Sequence, residues 1–373
     1  MTDRPALRTR PSSMDQIGRR VDQVETPALL LELPVARANI DQMATRIAAL
    51  SASLRPHVKA HKSVELARLQ LESGAVGVTT ATVAEARAMV DAGIDDVLIA
   101  NQVVVPSAVD AVAELAGRAA IIVAVDDAAN LEALGAAASA LGVEVGVLVE
   151  LDVGMGRAGA RTQDDAVALA QAAALTSGVA FRGLMGYEGH CADEPDPERR
   201  VERTRAAMEL LTSASERVAT AVMPVEIVSA GATGTFEITG GVPGVTEVQA
   251  GSYVLMDGFH APLVSGFGSA LTVAATAVSV HGSSVVFDAG RKSIGADLRP
   301  PAPPAPGAEL AFIHEEHVGF RFAGEGAPYR VGDRIRLVPG YAPTTVNLFG
   351  SYLVVQDDEV VDVWSVCARH GAW

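Results

Sequence analysis

The sequence predicts an α/β protein that consists of a (β/α)8 barrel followed by a second domain of β-strands. Two observations lead to this prediction. From about residue 26 to residue 250, short apolar runs alternate with segments of helical period, which is typical of a parallel sheet with helices outside it. After about residue 265 the helical period ends, and strand-like runs are separated by Gly and Pro turns.

The barrel elements follow one another at regular intervals. In the first predicted helix, for example, apolar side chains recur at helical spacing: Val35, Ile40, Met43, Ile47 and Leu50. The predicted strands cover residues 26–33, 54–59, 76–79, 96–100, 119–125, 143–151, 179–185 and 225–229. The predicted helices cover residues 35–50, 64–71, 83–91, 107–116, 128–141 and 164–175, and part of 197–219. About eight such repeats close into a barrel whose reactive groups gather at the carboxyl ends of the strands.

The second domain is predicted from strand-like runs without helices between them. These runs cover residues 271–280, 284–288, 309–314, 333–338 and 353–355, and residues 300–307 form a Pro-rich loop. We therefore predict a mobile amino-terminal arm over residues 1–22, a barrel over 23–265 and an all-β domain over 266–373.

Composition excludes several classes of protein. The 373-residue chain is 49% apolar and 20% charged, with a net charge of -16, so it lacks the basic face that binding to nucleic acid or to an acidic membrane requires. Cys191 and Cys367 are its two cysteines, too few for a disulfide framework or a thiolate metal cluster. No apolar stretch is long enough to span a bilayer or to form a signal peptide. We expect a cytoplasmic protein.

Lys59 is the candidate reactive residue. It lies in the segment Arg55-Pro-His-Val-Lys-Ala-His-Lys62, where a predicted strand ends. Burial and neighbouring cations lower the pKa of such an amine towards a nucleophilic free base. Taken alone, Lys59 and Lys62 would instead be interpreted as solvated loop charges.

Several motifs, taken in order, resemble one enzyme family. The chain is similar, from about residue 26 to its end, to the D-threonine aldolase and D-serine dehydratase group of fold-type III pyridoxal 5'-phosphate (PLP) enzymes, which is related to alanine racemase. The motifs are Arg55-Pro-His-Val-Lys59, Asp152-Val-Gly-Met-Gly-Arg157, Gly186-Tyr-Glu-Gly-His190, the segment 229–235, Thr246-Glu-Val-Gln-Ala-Gly-Ser-Tyr253, Asp288-Ala-Gly290, Glu315-Glu-His317 and Thr345-Val-Asn-Leu348. The barrel is then expected to be the PLP-binding, alanine racemase N-terminal type.

The resemblance implies a role for many residues of the barrel. Lys59 would form the Schiff base with PLP, which makes the cofactor an electron sink. Arg157 would approach the phenolic oxygen of the cofactor, and Gln249 would place a neutral amide beside the pyridine nitrogen. The Gly231-Ala-Thr-Gly-Thr235 turn would receive the phosphate. The expected cofactor-binding set is completed by His57, Tyr187, Ser229, Gly231, Thr233, Gly234, Gly251, Ser252 and Tyr253. His190 is either a pocket residue or a surface residue.

The sequence departs from the family where its metal ligands are expected. Relatives place a His and, separated by one residue, an Asp or Cys shortly before the Thr-Val-Asn motif. Here these positions are Tyr341 and Pro343. Proline has no side-chain donor atom, and a neutral phenol is a poor ligand for a hard divalent ion. We therefore expect no metal site, and Tyr341 either acts as an acid or base or only fills space.

Three functions are compatible with these residues. The first is a PLP-dependent lyase that acts on a β-hydroxy D-amino acid, by retro-aldol cleavage or by β-elimination and without the usual metal. The second is an amino-acid racemase that uses Lys59 and Tyr341 as two bases. The third, a PLP carrier, is disfavoured by the second domain. His317, with Glu315 and Glu316, is a further acid-base candidate, although a solvated cluster explains these three equally well. The resemblance also implies a homodimer with shared active sites.

Overall fold

A computed structural model of the chain describes residues 13–324 and 326–369. The described residues separate into two compact units. One contains the described part of Met1–Val35 together with Ala270–Val366, and the other contains Ala36–Ser269 together with the described residues from Cys367 onward. No helix in this part of the chain combines the length and apolar character that crossing a bilayer requires.

Strands and helices alternate through the middle of the chain. The strands are β1 (Ala28–Glu32), β2 (Ser53–Leu54), β3 (Val78–Thr80), β4 (Asp96–Gln102), β5 (Ala120–Val125), β6 (Val145–Glu150), β7 (Val179–Met185), β8 (Ile227–Ala230), β9 (Glu247–Val248), β10 (Leu271–His281), β11 (Ser284–Phe287), β12 (Ala308–Ile313), β13 (Val318–Phe322), β14 (Arg334–Leu337), β15 (Ser351–Gln356) and β16 (Glu359–Ser365). The helices are α1 (Leu33–Ile47), α2 (Val64–Glu72), α3 (Val83–Asp91), α4 (Pro106–Ala116), α5 (Ala128–Leu141), α6 (Gln163–Leu175), α7 (Gly189–Ala192), α8 (Pro197–Ala221), α9 (Phe236–Gly240) and α10 (Ala342–Asn347).

Strands β2 to β9 form a parallel barrel in chain order. Their sheet runs from β3 through β4, β5, β6, β7 and β8 to β9, and then to β2. A parallel bridge between His57 and Thr79 joins the ends of this sheet, and the Thr79 N–H donates to the Pro56 carbonyl at 2.8 Å. The predicted parallel barrel of alanine racemase type is confirmed.

The barrel is filled by apolar side chains and its helices begin at polar caps. Residues of β4 to β8 form a buried cluster inside it: Leu98, Ile122, Ala124, Leu148, Met185 and Ile227. Thr162 caps α6 by accepting from the Asp165 N–H, and the Asp165 carboxylate accepts from the Thr162 N–H, an arrangement that satisfies two N–H groups of the first turn. The helices therefore pack outside the ring, and the loops that follow the strands are left to carry the site.

The other unit is built on a mostly antiparallel sheet. Its strand order is β12-β13-β11-β10-β1-β15-β16, with β14 paired to β10. The sequence placed the apolar run at 26–33 in the barrel, but β1 pairs antiparallel with β10 and parallel with β15. Burial makes a strand apolar in either sheet, so composition does not reveal its partner.

The described part of the amino-terminal segment contacts the sheet. We expected a mobile arm over residues 1–22, of which residues 1–12 lie outside the described chain. Residues 13–16 form a 3₁₀ turn. The Gly18 and Val21 N–H groups donate to the carbonyls of Val360 and Asp358 at 2.8 and 2.9 Å, and Val21 is buried. Residues 18–21 are thus attached to the β16 end of the sheet.

Candidate active site

Lys59 lies just after the bridge that closes the barrel. The sequence predicted a strand to residue 59, but β2 ends at Leu54, and Val58–Ala60 forms a 3₁₀ turn. The Lys59 Nζ atom lies 5.5 Å from the centre of the Tyr187 ring. Burial, and then the Arg157 charge, lower the pKa of the Lys59 amine to about 8, against an opposing effect of Glu85. About a tenth of this amine is therefore unprotonated at pH 7, far more than for an ordinary lysine.

Arg157 and Tyr187 form one wall beside Lys59. The Arg157 Cζ atom lies 5.2 Å from the centre of the same Tyr187 ring, so two cationic side chains face one aromatic surface. A Cβ atom at Gly189 would lie 2.4 Å from this ring, so only glycine fits there. Burial, and then the Glu188 charge, raise the pKa of the Tyr187 phenol. Tyr187 is thus a neutral aromatic surface at ordinary pH.

Two loops after β8 and β9 converge on one place. The Tyr253 N–H donates to the Thr233 hydroxyl at 3.2 Å, which ties residues 251–253 to the Gly231–Thr235 turn. Four N–H groups of these loops have no acceptor among the described residues: those of Thr233, Gly234, Gly251 and Ser252. Backbone N–H groups gathered in this way bind anions. The two loops therefore fit the phosphate of PLP.

Close backbone contacts hold both loops against neighbouring segments. A Cβ atom on Gly251 would lie 2.3 Å from the His57 carbonyl oxygen, and one on Gly234 would lie 2.3 Å from that of Ala192. Any larger residue at these two positions would push the backbone apart. A steric requirement thus explains why both positions are glycine, which the sequence motifs alone do not indicate.

Ser229 and Gln249 contact each other inside the barrel. The Gln249 side-chain amide donates to the Ser229 hydroxyl at 2.9 Å, and both side chains are buried. Gln249 therefore presents no charge to a group bound beside it. This agrees with the neutral amide that the resemblance places next to the pyridine nitrogen.

Two buried imidazole nitrogens have no hydrogen-bond partner in the described chain. They are the Nδ1 atoms of His57 and His190. Burial, and then the Lys59 charge, hold the pKa of His57 well below its ordinary value, so its ring is neutral. Buried polar atoms without partners are rare in proteins. These two nitrogens accordingly fit a site that receives a polar ligand.

Tyr253 is placed differently from the other predicted cofactor residues. Its side chain is fully buried, and its hydroxyl accepts from the Gln70 amide at 2.8 Å. Its ring lies 5.7 Å from that of Phe267. Only the Tyr253 main chain therefore belongs to the anion-binding loops.

Lys62 connects three segments near Lys59, a role that its sequence motif does not indicate. Its ammonium group lies 2.5 Å from the Glu85 carboxylate and 3.1 Å from the Ala368 carbonyl oxygen. Its own carbonyl accepts from the Cys367 N–H at 2.8 Å, and its φ of 50° is left-handed. Glu85 is buried, and nothing in the residues around it distinguishes it from an exposed helical glutamate.

The remaining candidates lie in the other unit. Glu315, Glu316 and His317 are exposed in the turn between β12 and β13, and Glu316 pairs with Lys292 at 2.6 Å. Tyr341 is half-buried at the start of α10 and its carbonyl accepts from the Thr345 hydroxyl at 2.7 Å.

The residues at the family's metal-ligand positions do not fit a metal ion. Pro343 lies in the first turn of α10, a position that proline favours, and it offers no donor atom. Within the described ranges, no group of three or more His, Cys, Asp or Glu side chains could hold a metal ion.

Comparisons with known proteins identify the family. Residues 32–258 match the N-terminal domain of alanine racemase, and residues 270–355 match a putative serine dehydratase domain. A D-threonine aldolase from Arthrobacter sp. is 37% identical over 362 residues, which are 95% of each chain. A 3-hydroxy-D-aspartate aldolase from Paracoccus denitrificans is 33% identical over 378 residues, which are 94% of each chain.

A solved structure agrees with these matches. The crystal structure of D-threonine aldolase from Filomicrobium marinum is 34% identical, with a TM-score of 0.92, and covers 95% of this chain and 97% of that one. The resemblance found in the motifs is confirmed, and PLP is the cofactor that this family implies. The chain therefore belongs to the D-threonine aldolase and D-serine dehydratase group of fold-type III, PLP-dependent enzymes.

Proposed function

We propose that this protein is a PLP-dependent lyase that cleaves the Cα–Cβ bond of a β-hydroxy D-amino acid. The observation that carries the proposal is the Lys59 amine, whose pKa is lowered to about 8 and which faces Tyr187 beside Arg157. The two aldolases among the relatives supply the choice of reaction.

The residues of the chain have distinct parts in this proposal. PLP, when bound, supplies an electron sink for the charge that develops at the substrate Cα. Lys59 would hold the cofactor through its amine, and the free N–H groups after β8 and β9 would hold its phosphate. The free Lys59 amine would take or return a proton at Nζ, because its pKa of about 8 lies close to neutral pH.

Arg157 and Gln249 would set the charge around the bound ring. The Arg157 guanidinium favours an anionic oxygen on the cofactor, whereas the Gln249 amide leaves the ring nitrogen neutral. His57, which is neutral and lacks a partner for its Nδ1 atom, would accept a hydrogen bond without adding charge. Tyr187 would cover one side of the site and exclude water.

We also propose that the reaction does not use a metal ion at positions 341 and 343. The support is the chemistry of the two side chains, since proline has no donor atom and tyrosine is a poor neutral ligand. The hydroxyl proton of the substrate then requires a side-chain acceptor, and Tyr341, which lies where the resemblance places the family's histidine, is the candidate.

The test of this function is a product assay. The protein, reconstituted with PLP, is incubated with D-threonine, D-3-hydroxyaspartate, D-serine and their L-enantiomers. An aldehyde product together with glycine supports the proposal. An oxo acid with ammonia would instead indicate β-elimination, and exchange of the Cα hydrogen for solvent deuterium without either product would indicate a racemase. Bound PLP with no turnover of any amino acid would contradict all three enzymes.

The family resemblance also suggests an assembly and a location. We propose a homodimer in the cytoplasm. Light scattering on the purified protein tests the dimer, and a mass of one chain would contradict it.

A further inference from the structure

Glu188 is a buried carboxylate that the proposed chemistry does not use. It directly follows Tyr187 and has no exposed surface. One of its oxygens accepts from the Gly231 N–H at 3.0 Å. The other accepts from the hydroxyls of Thr235 and Thr239 at 2.6 and 2.7 Å.

These bonds attach Glu188 to one functional segment. Gly231 and Thr235 begin and end the turn that follows β8, and Thr239 lies in α9 directly after it. Gly231 has a left-handed φ of 94°, so the turn begins in a conformation that few residues adopt without support. The carboxylate accepts from both ends of this turn at once.

A buried carboxylate without a cationic partner is costly. In the described part of the chain, Glu188 bonds one N–H and two hydroxyls and pairs with no Lys or Arg. Glutamine could keep part of this arrangement, since its carbonyl oxygen could accept from the Gly231 N–H while its NH₂ group donates to the threonine hydroxyls, which accept as well as donate. An apolar side chain such as leucine would leave the Gly231 N–H and both hydroxyls without this acceptor.

The bonds also determine which N–H groups the turn leaves for a ligand. The Gly231 N–H is occupied by Glu188, and the Ala232 N–H donates to the Thr235 hydroxyl at 3.1 Å. The N–H groups of Thr233 and Gly234, in the middle of the turn, have no acceptor among the described residues. Glu188 thus fixes the ends of the turn while its middle stays available for an anion.

We propose that Glu188 is a positioning residue, which holds the 231–235 turn in the conformation that receives the phosphate of PLP. This inference rests on the proposed function, because it takes the turn to be the phosphate site. It adds that the wall formed by Tyr187 and the phosphate loop are connected through one side chain.

The test compares two ligands that differ only in the phosphate. Dissociation constants of PLP and of pyridoxal are measured by titrating the apo-protein and following the absorbance of the bound cofactor. For Glu188→Leu, which removes both acceptor oxygens, we expect the constant for PLP to rise about 10-fold or more, as loss of one buried charge-assisted bond implies. The constant for pyridoxal should change less than about 3-fold, because pyridoxal lacks the group that the turn binds.

Matched variants separate positioning from general damage. Glu237→Leu makes the same substitution on the exposed side of α9, where the carboxylate pairs with Arg46, and both constants should keep their wild-type values. Thr239→Val removes one donor to Glu188 outside the turn and should raise the PLP constant in the same direction, but less. Thermal unfolding of each apo-protein shows whether it folds.

The outcomes distinguish the two levels of the proposal. Equal losses for PLP and pyridoxal in Glu188→Leu, or unchanged PLP binding in both Glu188→Leu and Thr239→Val, would overturn the role of Glu188. If the wild-type protein itself binds PLP no more tightly than pyridoxal, the phosphate site fails, and with it the proposed function.

Discussion

The Lys62 ammonium lies 2.5 Å from the buried Glu85 carboxylate. Lys62 itself follows Lys59 by three residues in the chain. The Glu85 charge raises the pKa of the Lys59 amine, whereas burial and Arg157 lower it. Lys62 therefore neutralises a carboxylate that would otherwise act more strongly on the reactive amine. The proton affinity of Lys59 depends on a pair of residues that do not touch the cofactor site directly.

Changing Glu85 should shift the titration of Lys59 downward. In Glu85→Gln the pKa of Lys59 should fall below the wild-type value of about 8, because the charge that raises it is gone. In Lys62→Met it should rise, since Glu85 loses its partner. Both are measured in the apo-protein by the pH dependence of Lys59 acylation, read by mass spectrometry. A shift in the same direction in both variants would contradict the assignment.

Lys59 should be the residue that carries the cofactor. Borohydride reduction of the PLP-loaded protein, followed by peptide mapping, should place the cofactor on Lys59. Lys59→Ala should not be labelled, and its activity should fall by about 10³-fold or more, as loss of a covalent catalytic group implies. Lys62→Met is the matched control and should keep the label on Lys59. A label on Lys62 in the wild-type protein would refute the assignment.

A chelator should leave activity unchanged. Because Tyr341 and Pro343 occupy the positions where the resemblance places metal ligands, we expect that dialysis against a chelator does not lower kcat by more than about 2-fold. The double variant Tyr341→His with Pro343→Asp restores the family's ligands, and its activity should become dependent on added Mn²⁺. Asp is also favourable in the first turn of α10. Wild-type activity that disappears with chelator and returns with manganese would contradict the metal-free reaction.

The stability of the barrel should depend strongly on a buried ion pair at the start of β9, where Glu247 is the first residue. The Arg55 guanidinium donates to both oxygens of Glu247 at 2.8 and 3.0 Å, and both side chains are less than 10% exposed. Glu247→Gln should lower the free energy of unfolding by about 1.5–3 kcal/mol, because Arg55 loses a buried charge-assisted bond but keeps its ion pair with Asp96 at 2.5 Å. Urea unfolding, followed by circular dichroism, measures this loss.

The neighbouring pair of Arg182 and Glu226 is a matched control for that prediction. It has a similar length of 2.7 Å, but Glu226 is 63% exposed. Glu226→Gln should therefore cost no more than about 1 kcal/mol. Equal losses in the two variants would show that burial does not decide the strength of these pairs.

Gly251 should tolerate no side chain. Its Cβ atom would lie 2.3 Å from the His57 carbonyl oxygen, so Gly251→Ala should displace the segment that carries Lys59 and weaken PLP binding by about 10-fold or more. Gly350→Ala, where a Cβ atom meets nothing within 4 Å, is the control. Normal PLP affinity in Gly251→Ala would show that the two loops move independently.

Periodicity predicted much of the barrel but not the pairing of every strand. The predicted strand 179–185 has the same bounds as β7, because a long apolar run between two amphipathic helices allows few alternatives. β9 has only two residues, too few to show a period. The partners of β1 depend on contacts with strands more than 200 residues away, which no local pattern records. α10 escaped prediction because its six residues are fewer than two helical turns.

The sequence predicted the site residues that lie in motifs, but not the residues whose role depends on their burial. The motif around Lys59 directed attention to Arg157 and Tyr187, and the structure brings these three side chains together. By contrast, Glu85 and Glu188 are buried carboxylates, and glutamate is exposed in most proteins. Their importance comes from the groups around them, which only the folded chain shows.

The bridge between His57 and Thr79 links the position of the reactive amine to the closure of the barrel. This bridge closes the ring of strands, and Lys59 lies two residues after His57. The ring cannot open there without moving the amine. Bleaching of the cofactor's colour on heating should therefore coincide with loss of the strands' infrared signal, so that a simple visible spectrum would monitor the integrity of the whole barrel.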